Sequence, residues 1–283
     1  MDAIYEPKGQ AREYSPLACN LYRGCVHGCV YCYSPNSVRR DRAEFHAESK
    51  PRPGILAALE KDAAAIAGSE APVLLCFTCD PYQPLEACDN ITRQALETLR
   101  RHNVPAQVLT KGGRQATGDF DLLSSMRAWF GTTLVFTDEA WRREWEPNAA
   151  SVSSRIAAIK EAYGCGIPTW VSIEPVVDPA QAILLIAELS PWVDEWRLGR
   201  LNYHPRAKEI DWRHWSPILL QAARDSGRGY LLKESLLPYL SAGERQEARR
   251  APAPPQFQTA TRLPTGCGPI RTYRPTTEGQ GGR

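Results

Sequence analysis

The sequence predicts one α/β domain built from parallel βα units, and three observations indicate it. Short apolar runs alternate with stretches of helical periodicity between residues 18 and 240. Pro105 and Pro168 stand just before apolar runs, where they end the preceding helix. Polar residues and cysteines follow the ends of several runs, which is where parallel α/β folds bind their ligands. About six such units form a barrel or an incomplete barrel.

The apolar runs are predicted strands, and the stretches between them are predicted helices. The strands cover residues 18–22, 73–78, 106–110, 132–137, 169–173 and 196–199, with a seventh over 230–233. The helices cover residues 54–67, 91–101, 120–130, 153–163, 179–189 and 212–225. The first of them places Ile55, Leu59, Ala63 and Ile66 on one side, which is the helical period.

Composition separates two ends from this core. We expect an N-terminal extension over residues 1–17, a core domain over 18–240 and a Pro/Gly/Arg-rich tail over 241–283. The net charge of +2 does not by itself indicate a nucleic-acid partner. No apolar run approaches the ~20 residues of a membrane span, and residues 1–10 contain no apolar signal core. We therefore expect a cytoplasmic protein with no membrane partner.

The most informative segment follows the first predicted strand. Cys25, Cys29 and Cys32 are spaced CxxxCxxC in a loop that also contains Gly24 and Gly28. Three thiolates within eight residues can converge on one metal centre, and iron–sulfur clusters take thiolate ligands. Three cysteines would leave one iron of a 4Fe–4S cluster open to a small-molecule ligand.

A structural zinc site is the alternative, with His27 or Cys19 beside the three cysteines. His27 stands between two of the ligands and would have difficulty reaching the same metal, and Cys19 precedes them on the strand. Nine cysteines in a cytoplasmic chain favour metal or thiol chemistry over a disulfide framework. The spacing therefore favours iron.

The cysteine motif resembles that of the radical S-adenosylmethionine (SAM) superfamily. The wider string, from Tyr14 to Pro16 and from Arg23 to Tyr33, resembles the spore photoproduct lyase-like branch. The resemblance implies a partial (βα)6-type TIM barrel, a 4Fe–4S cluster on the three cysteines, and reductive cleavage of SAM to a 5′-deoxyadenosyl radical. It also implies an electron donor such as flavodoxin or ferredoxin.

The same resemblance implies which residues hold SAM. Thr78 and Asp80 match the segment that grips the amino group, and Lys111 matches a lysine near the carboxylate. The other residues expected near SAM are Tyr31, Thr137 and Glu174, the last facing either the ribose or the substrate. We interpret Arg155 as part of an internal charge pair rather than as a ligand.

Photoproduct lyases also use a hydrogen-donating cysteine and tyrosines in radical relay. The place of that cysteine falls here at Phe77, so Cys79 is the candidate that replaces it, and Tyr33 is the candidate relay. This departure counts against thymine-dimer repair. The implied substrate is a nucleic acid, DNA or RNA, whose phosphates the arginines between residues 39 and 42 could contact. The alternative is that these arginines form a solvated helix face, since Asp41 and Glu44 lie among them. A peptide or protein substrate, and a non-catalytic iron–sulfur protein, are the alternatives.

Overall fold

The computed structural model describes residues 2–248, so the predicted tail lies outside the described residues from position 249 onward. The strands are β1 (Ile4–Tyr5), β2 (Leu17–Cys19), β3 (Tyr22–Arg23), β4 (Lys50–Pro51), β5 (Val73–Leu75), β6 (Ala106–Thr110), β7 (Ala128–Thr133), β8 (Thr169–Val176), β9 (Glu195–Arg200) and β10 (Gly229–Leu232). The α-helices are α1 (Ser34–Ser37), α2 (Arg42–Ala47), α3 (Ile55–Ala65), α4 (Glu86–Asp89), α5 (Ile91–Arg101), α6 (Phe120–Ser124), α7 (Glu139–Trp145), α8 (Val152–Gly164), α9 (Pro179–Leu189), α10 (Trp212–Asp225) and α11 (Ala242–Ala248).

The main sheet confirms the predicted fold class. Its strands run in the order β1-β2-β5-β6-β7-β8-β9-β10, and every pair except β1 with β2 is parallel. Strands β3 and β4 form a separate antiparallel pair. Within the described residues β2 and β10 do not pair, so the barrel is incomplete. The carboxyl ends of seven parallel strands therefore meet at one rim.

The predicted boundaries between residues 120 and 137 are wrong. The helix expected over residues 120–130 ends at Ser124, and the strand expected over 132–137 occupies Ala128–Thr133 instead. Trp129 and Phe130 are buried on opposite sides of this strand, in two different hydrophobic clusters. Short apolar runs do not distinguish helix from strand by periodicity, and burial on both sides favoured the strand.

The N-terminal segment lies across the open side of the barrel. The ammonium of Lys233 donates to the carbonyl of Gln10 at 2.6 Å, and the N–H of Glu234 donates to Glu13 at 2.9 Å. Arg197 of β9 donates to the carbonyl of Tyr14 at 3.0 Å. These hydrogen bonds join the segment before β2 to the last two strands, so it forms part of the wall of the barrel.

Two clusters of buried side chains sandwich the sheet. The larger joins the sheet to the surrounding helices, and the smaller contains Ala18, Leu74, Trp129 and Trp170. This division follows from the alternation of side chains along a strand. Among the described residues, no helix combines the length and the apolar character that crossing a bilayer requires.

Candidate functional site

A cavity of about 580 Å³ opens at the rim where the parallel strands end. Ligands of parallel α/β folds bind at this rim, because loops from many strands converge there. Most of the predicted site residues line the cavity, together with residues that the sequence did not single out. The lining includes Tyr14, Cys25, His27, Cys29, Tyr31, Cys32, Tyr33, Cys76, Thr78, Cys79, Asp80, Lys111, Thr133, Ser172, Glu174, Arg200 and Lys233.

The three cysteines of the motif are free thiols on the cavity wall. Burial raises the pKa of Cys25, and Cys29 raises it further. Burial also raises the pKa of Cys29, to about 12. The charge of Lys111 lowers this pKa, and Cys32 raises it. For Cys32 burial acts in the same direction, but hydrogen bonds from His46 and Ser34 lower its pKa. All three cysteines come from one loop and line the same cavity.

The cysteine loop is held by backbone geometry as well as by packing. Gly24 has φ +80°, and a Cβ there would lie 2.1 Å from the carbonyl oxygen of Glu48. Only glycine adopts this conformation and this close approach without strain. The N–H of Val26 donates to the side chain of Gln83 at 2.9 Å, and that of Val30 to the carbonyl of Trp145 at 2.9 Å. The loop is therefore fixed from two sides of the barrel rim.

The donor set fits an iron–sulfur cluster better than zinc. Among residues 2–248, no three His, Cys, Asp or Glu side chains are already spaced to enclose a metal ion. The three thiols nevertheless share one cavity, and thiolates are the ligands that such clusters take. The zinc alternatives are engaged elsewhere: His27 faces Asp80 at 3.3 Å and the carbonyl of Asn148 at 3.2 Å, while Cys19 is fully buried in the core.

Asp80 reaches the cavity wall, but its carboxylate is bonded within the protein. One oxygen accepts from the N–H of Tyr82 at 2.8 Å and from the hydroxyl of Thr110 at 2.6 Å. The other accepts from the N–H of Lys111 at 2.7 Å and faces His27. Burial alone would raise the pKa of Asp80, but His27 and these hydrogen bonds lower it to about 2. Asp80 thus connects β5, β6 and the cysteine loop.

Lys111 stands over a buried network of charged groups. Its ammonium lies 5.6 Å from the ring centre of Tyr31, whose hydroxyl donates to Glu146. Glu146 pairs with Arg155 at 2.6 Å, and both side chains are fully buried. Burial lowers the pKa of Lys111, but Cys29, Glu146 and Asp80 outweigh it and raise the pKa overall. The internal pair interpreted for Arg155 is therefore present, and Lys111 is a cation at the cysteine end of the cavity.

A second group of polar side chains lies in the cavity wall formed by the later strands. Glu174, in β8, accepts a hydrogen bond from the hydroxyl of Tyr14 and lies 3.8 Å from the ammonium of Lys233. The Tyr14 hydroxyl also contacts Ser172 at 2.8 Å. Burial raises the pKa of Glu174, and the attraction of Lys233 and the Tyr14 hydrogen bond only partly oppose it. Burial likewise lowers the pKa of Lys233.

The structure brings the remaining predicted residues to the cavity, with one exception. Tyr33 donates from its hydroxyl to the carbonyl of Phe77 at 3.1 Å, and Cys79 is 8% exposed on the wall. The N–H of Thr78 donates to Asn20 at 2.9 Å. The predicted residue Thr137 is not in the lining; its N–H instead donates to Gln181 at 3.0 Å. Because β7 ends at Thr133, that residue occupies the place expected for Thr137.

Sequence reasoning missed Lys233 and the role of Tyr14. Both belong to segments separated from Glu174 by long stretches of chain, so no local pattern joins them. The available signal was positional: Lys233 is the last residue of the seventh predicted strand, and lysines are seldom buried without a partner. His27 was considered only as a zinc ligand, whereas its contact with Asp80 ties the cysteine loop to β5.

The incomplete parallel barrel, with three thiols on the loop beyond its first parallel strand, agrees with the fold expected from the resemblance to radical SAM enzymes. Two solved structures carry this likeness. A mutant of spore photoproduct lyase with bound AdoMet and dinucleoside spore photoproduct has a TM-score of 0.52 and 16% identity, over 78% of this chain and 63% of that one. Streptococcus suis SuiB bound to S-adenosylmethionine has a TM-score of 0.57 and 13% identity, over 83% and 55%. They confirm the predicted fold, the partial TIM barrel of the radical SAM kind.

Sequence comparison gives relatives at higher identity than these solved structures. An uncharacterized protein of Methanocaldococcus jannaschii is 24% identical over 186 residues, which are 65% of this chain and 69% of that protein. An uncharacterized protein of Mycobacterium tuberculosis is 24% identical over 166 residues, or 56% and 48%. The chain therefore spans about half the length of the mycobacterial protein. No family model matches the chain.

Proposed function

We propose that this chain is a radical SAM enzyme that binds a 4Fe–4S cluster through Cys25, Cys29 and Cys32 and cleaves SAM reductively. The observation that carries the proposal is that the three thiols share one cavity with Lys111, at the rim of a partial barrel. When bound, the cluster supplies the electron that splits the sulfonium of SAM and releases a 5′-deoxyadenosyl radical.

The side chains around the thiols give the proposal its binding roles. Lys111 is the cation for the SAM carboxylate, with Tyr31 beside its ammonium. Asp80 acts on SAM through other groups, because its own oxygens hold the N–H of Lys111 and His27. Thr78 contributes to the wall next to the cysteine loop. The proposal thus keeps the predicted SAM site but assigns Asp80 to positioning.

The other polar group suits the ribose or the substrate. Glu174 lines the cavity and is held by Tyr14 and Lys233, so its carboxyl group can form a hydrogen bond with a hydroxyl group bound there. Cys79 and Tyr33, which also line the cavity, are the proposed hydrogen donor and relay. Transfer of a hydrogen atom needs a donor that faces the substrate, and both side chains are on the cavity wall.

The proposed substrate is a nucleic acid, with a peptide as the second candidate. A relative of the same fold was solved with a dinucleoside photoproduct, which supports the first, and SuiB bound to its precursor peptide supports the second. Phosphate contacts make nucleic-acid binding strongly salt-dependent, whereas peptide binding is less so. Binding of a labelled oligonucleotide at two salt concentrations therefore separates the two candidates.

The reaction class is tested by quantifying 5′-deoxyadenosine. The protein is purified without oxygen, reconstituted with iron and sulfide, and mixed with SAM and dithionite. We expect about four irons per chain and 5′-deoxyadenosine from the wild type but not from Cys29→Ala. Cys88→Ala is the matched control, because Cys88 is exposed and outside the cavity lining. Bound zinc without iron, or equal product from Cys29→Ala, would contradict the proposal.

A further inference from the structure

Exposed apolar side chains adjoin the cysteine loop and are bordered by arginines. Val30 and Val38 are each 40% exposed, in a protein whose large apolar side chains are mostly buried. Arg39 and Arg40 follow Val38 directly and are exposed, and neither side chain makes an ion pair within residues 2–248. Arg42 begins α2 next to them. We call the surface formed by these five residues the arginine face.

A cleft extends the positive charge of the arginine face. Its volume is about 700 Å³, and Val38 and Arg40 line it together with Arg23, Lys50 and Arg52. The acidic residues nearby are largely engaged. Asp41 accepts two backbone N–H groups as the N-cap of α2, and Glu48 pairs with Lys50 at 2.8 Å. Glu44 is the remaining carboxylate of α2, so the surface keeps an excess of positive charge.

The same helix is hydrogen-bonded to the backbone of every cysteine in the motif. Arg42 donates to the carbonyl of Cys29 at 3.1 Å and to that of Cys32 at 2.5 Å. His46 contacts the carbonyl of Cys25 at 2.8 Å. The thiols of these cysteines line the cavity proposed for SAM, whereas their carbonyls meet α2. Arg42 therefore joins the arginine face to two of the three cysteines, and His46 on the same helix contacts the third, by a route that leaves the SAM cavity free.

We propose that the arginine face docks an acidic protein that delivers single electrons to the cluster. This inference rests on the proposed function, which consumes one electron for each SAM cleaved. In the step, the carrier is oxidised by one electron, the cluster is reduced by one, and no bond or proton changes. An apolar centre with a charged rim is typical of protein interfaces, and charge complementarity mainly accelerates association. The occupant is a protein, because the exposed valines have no role in holding phosphates.

The test compares two electron sources in one enzyme. Flavodoxin serves as the acidic carrier and dithionite as the small reductant, and the rate of cluster reduction is followed by the loss of visible absorbance. The variant is Arg39→Glu with Arg40→Glu, two exposed side chains outside the lining of the cysteine cavity. The matched control is Lys61→Glu with Arg213→Glu, which changes the charge equally at exposed positions on α3 and α10.

We expect the variant with Arg39→Glu and Arg40→Glu, the charge-reversed variant, to have a flavodoxin-driven rate at least about tenfold below that of the wild type at low salt. Its dithionite-driven rate should stay unchanged. The control should keep both rates, and added salt should slow the flavodoxin-driven reaction of the wild type. A second readout needs no cluster. Oxidised flavodoxin is titrated into protein purified without iron, and its affinity by calorimetry should fall in the reversed variant only.

The possible failures are distinguishable. An unchanged flavodoxin rate and affinity in the Arg39 and Arg40 variant would overturn the docking proposal, even with full dithionite activity. The same conclusion follows if that variant loses oligonucleotide binding but keeps the flavodoxin rate, since the face would then hold a nucleic acid. No 5′-deoxyadenosine from the wild type with dithionite would overturn the proposed function itself, on which the docking proposal depends.

Discussion

Replacing Asp80 by asparagine tests whether this carboxylate serves the fold or only a ligand. Asp80 is 7% exposed and accepts hydrogen bonds from Tyr82, Thr110 and Lys111, with His27 at 3.3 Å. If the residue served only SAM, the free protein would tolerate the change. If it holds the strand ends and the cysteine loop together, the free protein must lose stability.

The magnitude follows from the pKa. A fall of the Asp80 pKa from 3.8 to about 2 on folding is equivalent to about 2 kcal/mol favouring the charged form. An amide of the same shape places an NH2 group against one of the backbone N–H donors. The unsatisfied donor then costs about 1 kcal/mol more. We expect Asp80→Asn to lower the free energy of unfolding by about 3 kcal/mol.

The assay is urea unfolding of iron-free protein, followed by circular dichroism at several pH values. The folded-state pKa is lowered, so the carboxylate contributes stability above about pH 4 and loses it as the pH falls toward about 2. The gap between wild type and variant should therefore be constant from pH 7 to pH 5 and begin to close near pH 4.

The matched control is Asp138→Asn. Asp138 is an exposed N-cap that accepts two backbone N–H groups, and asparagine caps a helix equally well. We expect the control to lose less than about 0.5 kcal/mol. A loss from Asp80→Asn as small as that of the control, or a gap that does not depend on pH, would refute the role given to Asp80.

Two further changes probe the loop and the charge pair beside it. Gly24→Ala should abolish iron binding, because its Cβ would meet the Glu48 carbonyl. Gly68→Ala is the control: Gly68 has φ +76° and open space around it, so this variant should bind a normal amount of iron. Equal iron per chain in the two variants after anaerobic reconstitution would contradict the prediction. Arg155→Met leaves the Glu146 carboxylate buried and unpaired, so it should cost about 3–5 kcal/mol in urea unfolding. Adding Glu146→Leu should recover part of that loss, and a single-variant loss below about 1 kcal/mol would be incompatible with a buried pair.

Contiguous features were predictable from the sequence. The three cysteines lie within eight residues, so their sharing of one site needed only a loop that turns, which the glycines allow. The alternation of strands and helices gave the fold class because periodicity is local. Lys111 and Glu174 reach the cavity because the carboxyl ends of parallel strands converge at one rim, independently of the conformation of the loops.

Local patterns failed where a long-range contact decides. The apolar run around Trp129 and Phe130 suits a helix or a strand, and only burial between two layers selected the strand, which moved Thr133 into the place expected for Thr137. The sequence showed Asp80 at a strand end but not that three hydrogen bonds from Tyr82, Thr110 and Lys111 engage both of its oxygens.

The sequence by itself determined the donor chemistry, three thiols in one loop, and the rim at which they lie. The tertiary structure decided which charged side chains face the cavity and which pair with one another. Tyr14, Glu174 and Lys233 lie far apart in the sequence, and they meet because the N-terminal segment is hydrogen-bonded to the end of the last strand. Hydrogen bonds between such distant residues depend on the three-dimensional path of the chain, and no period in the sequence encodes that path.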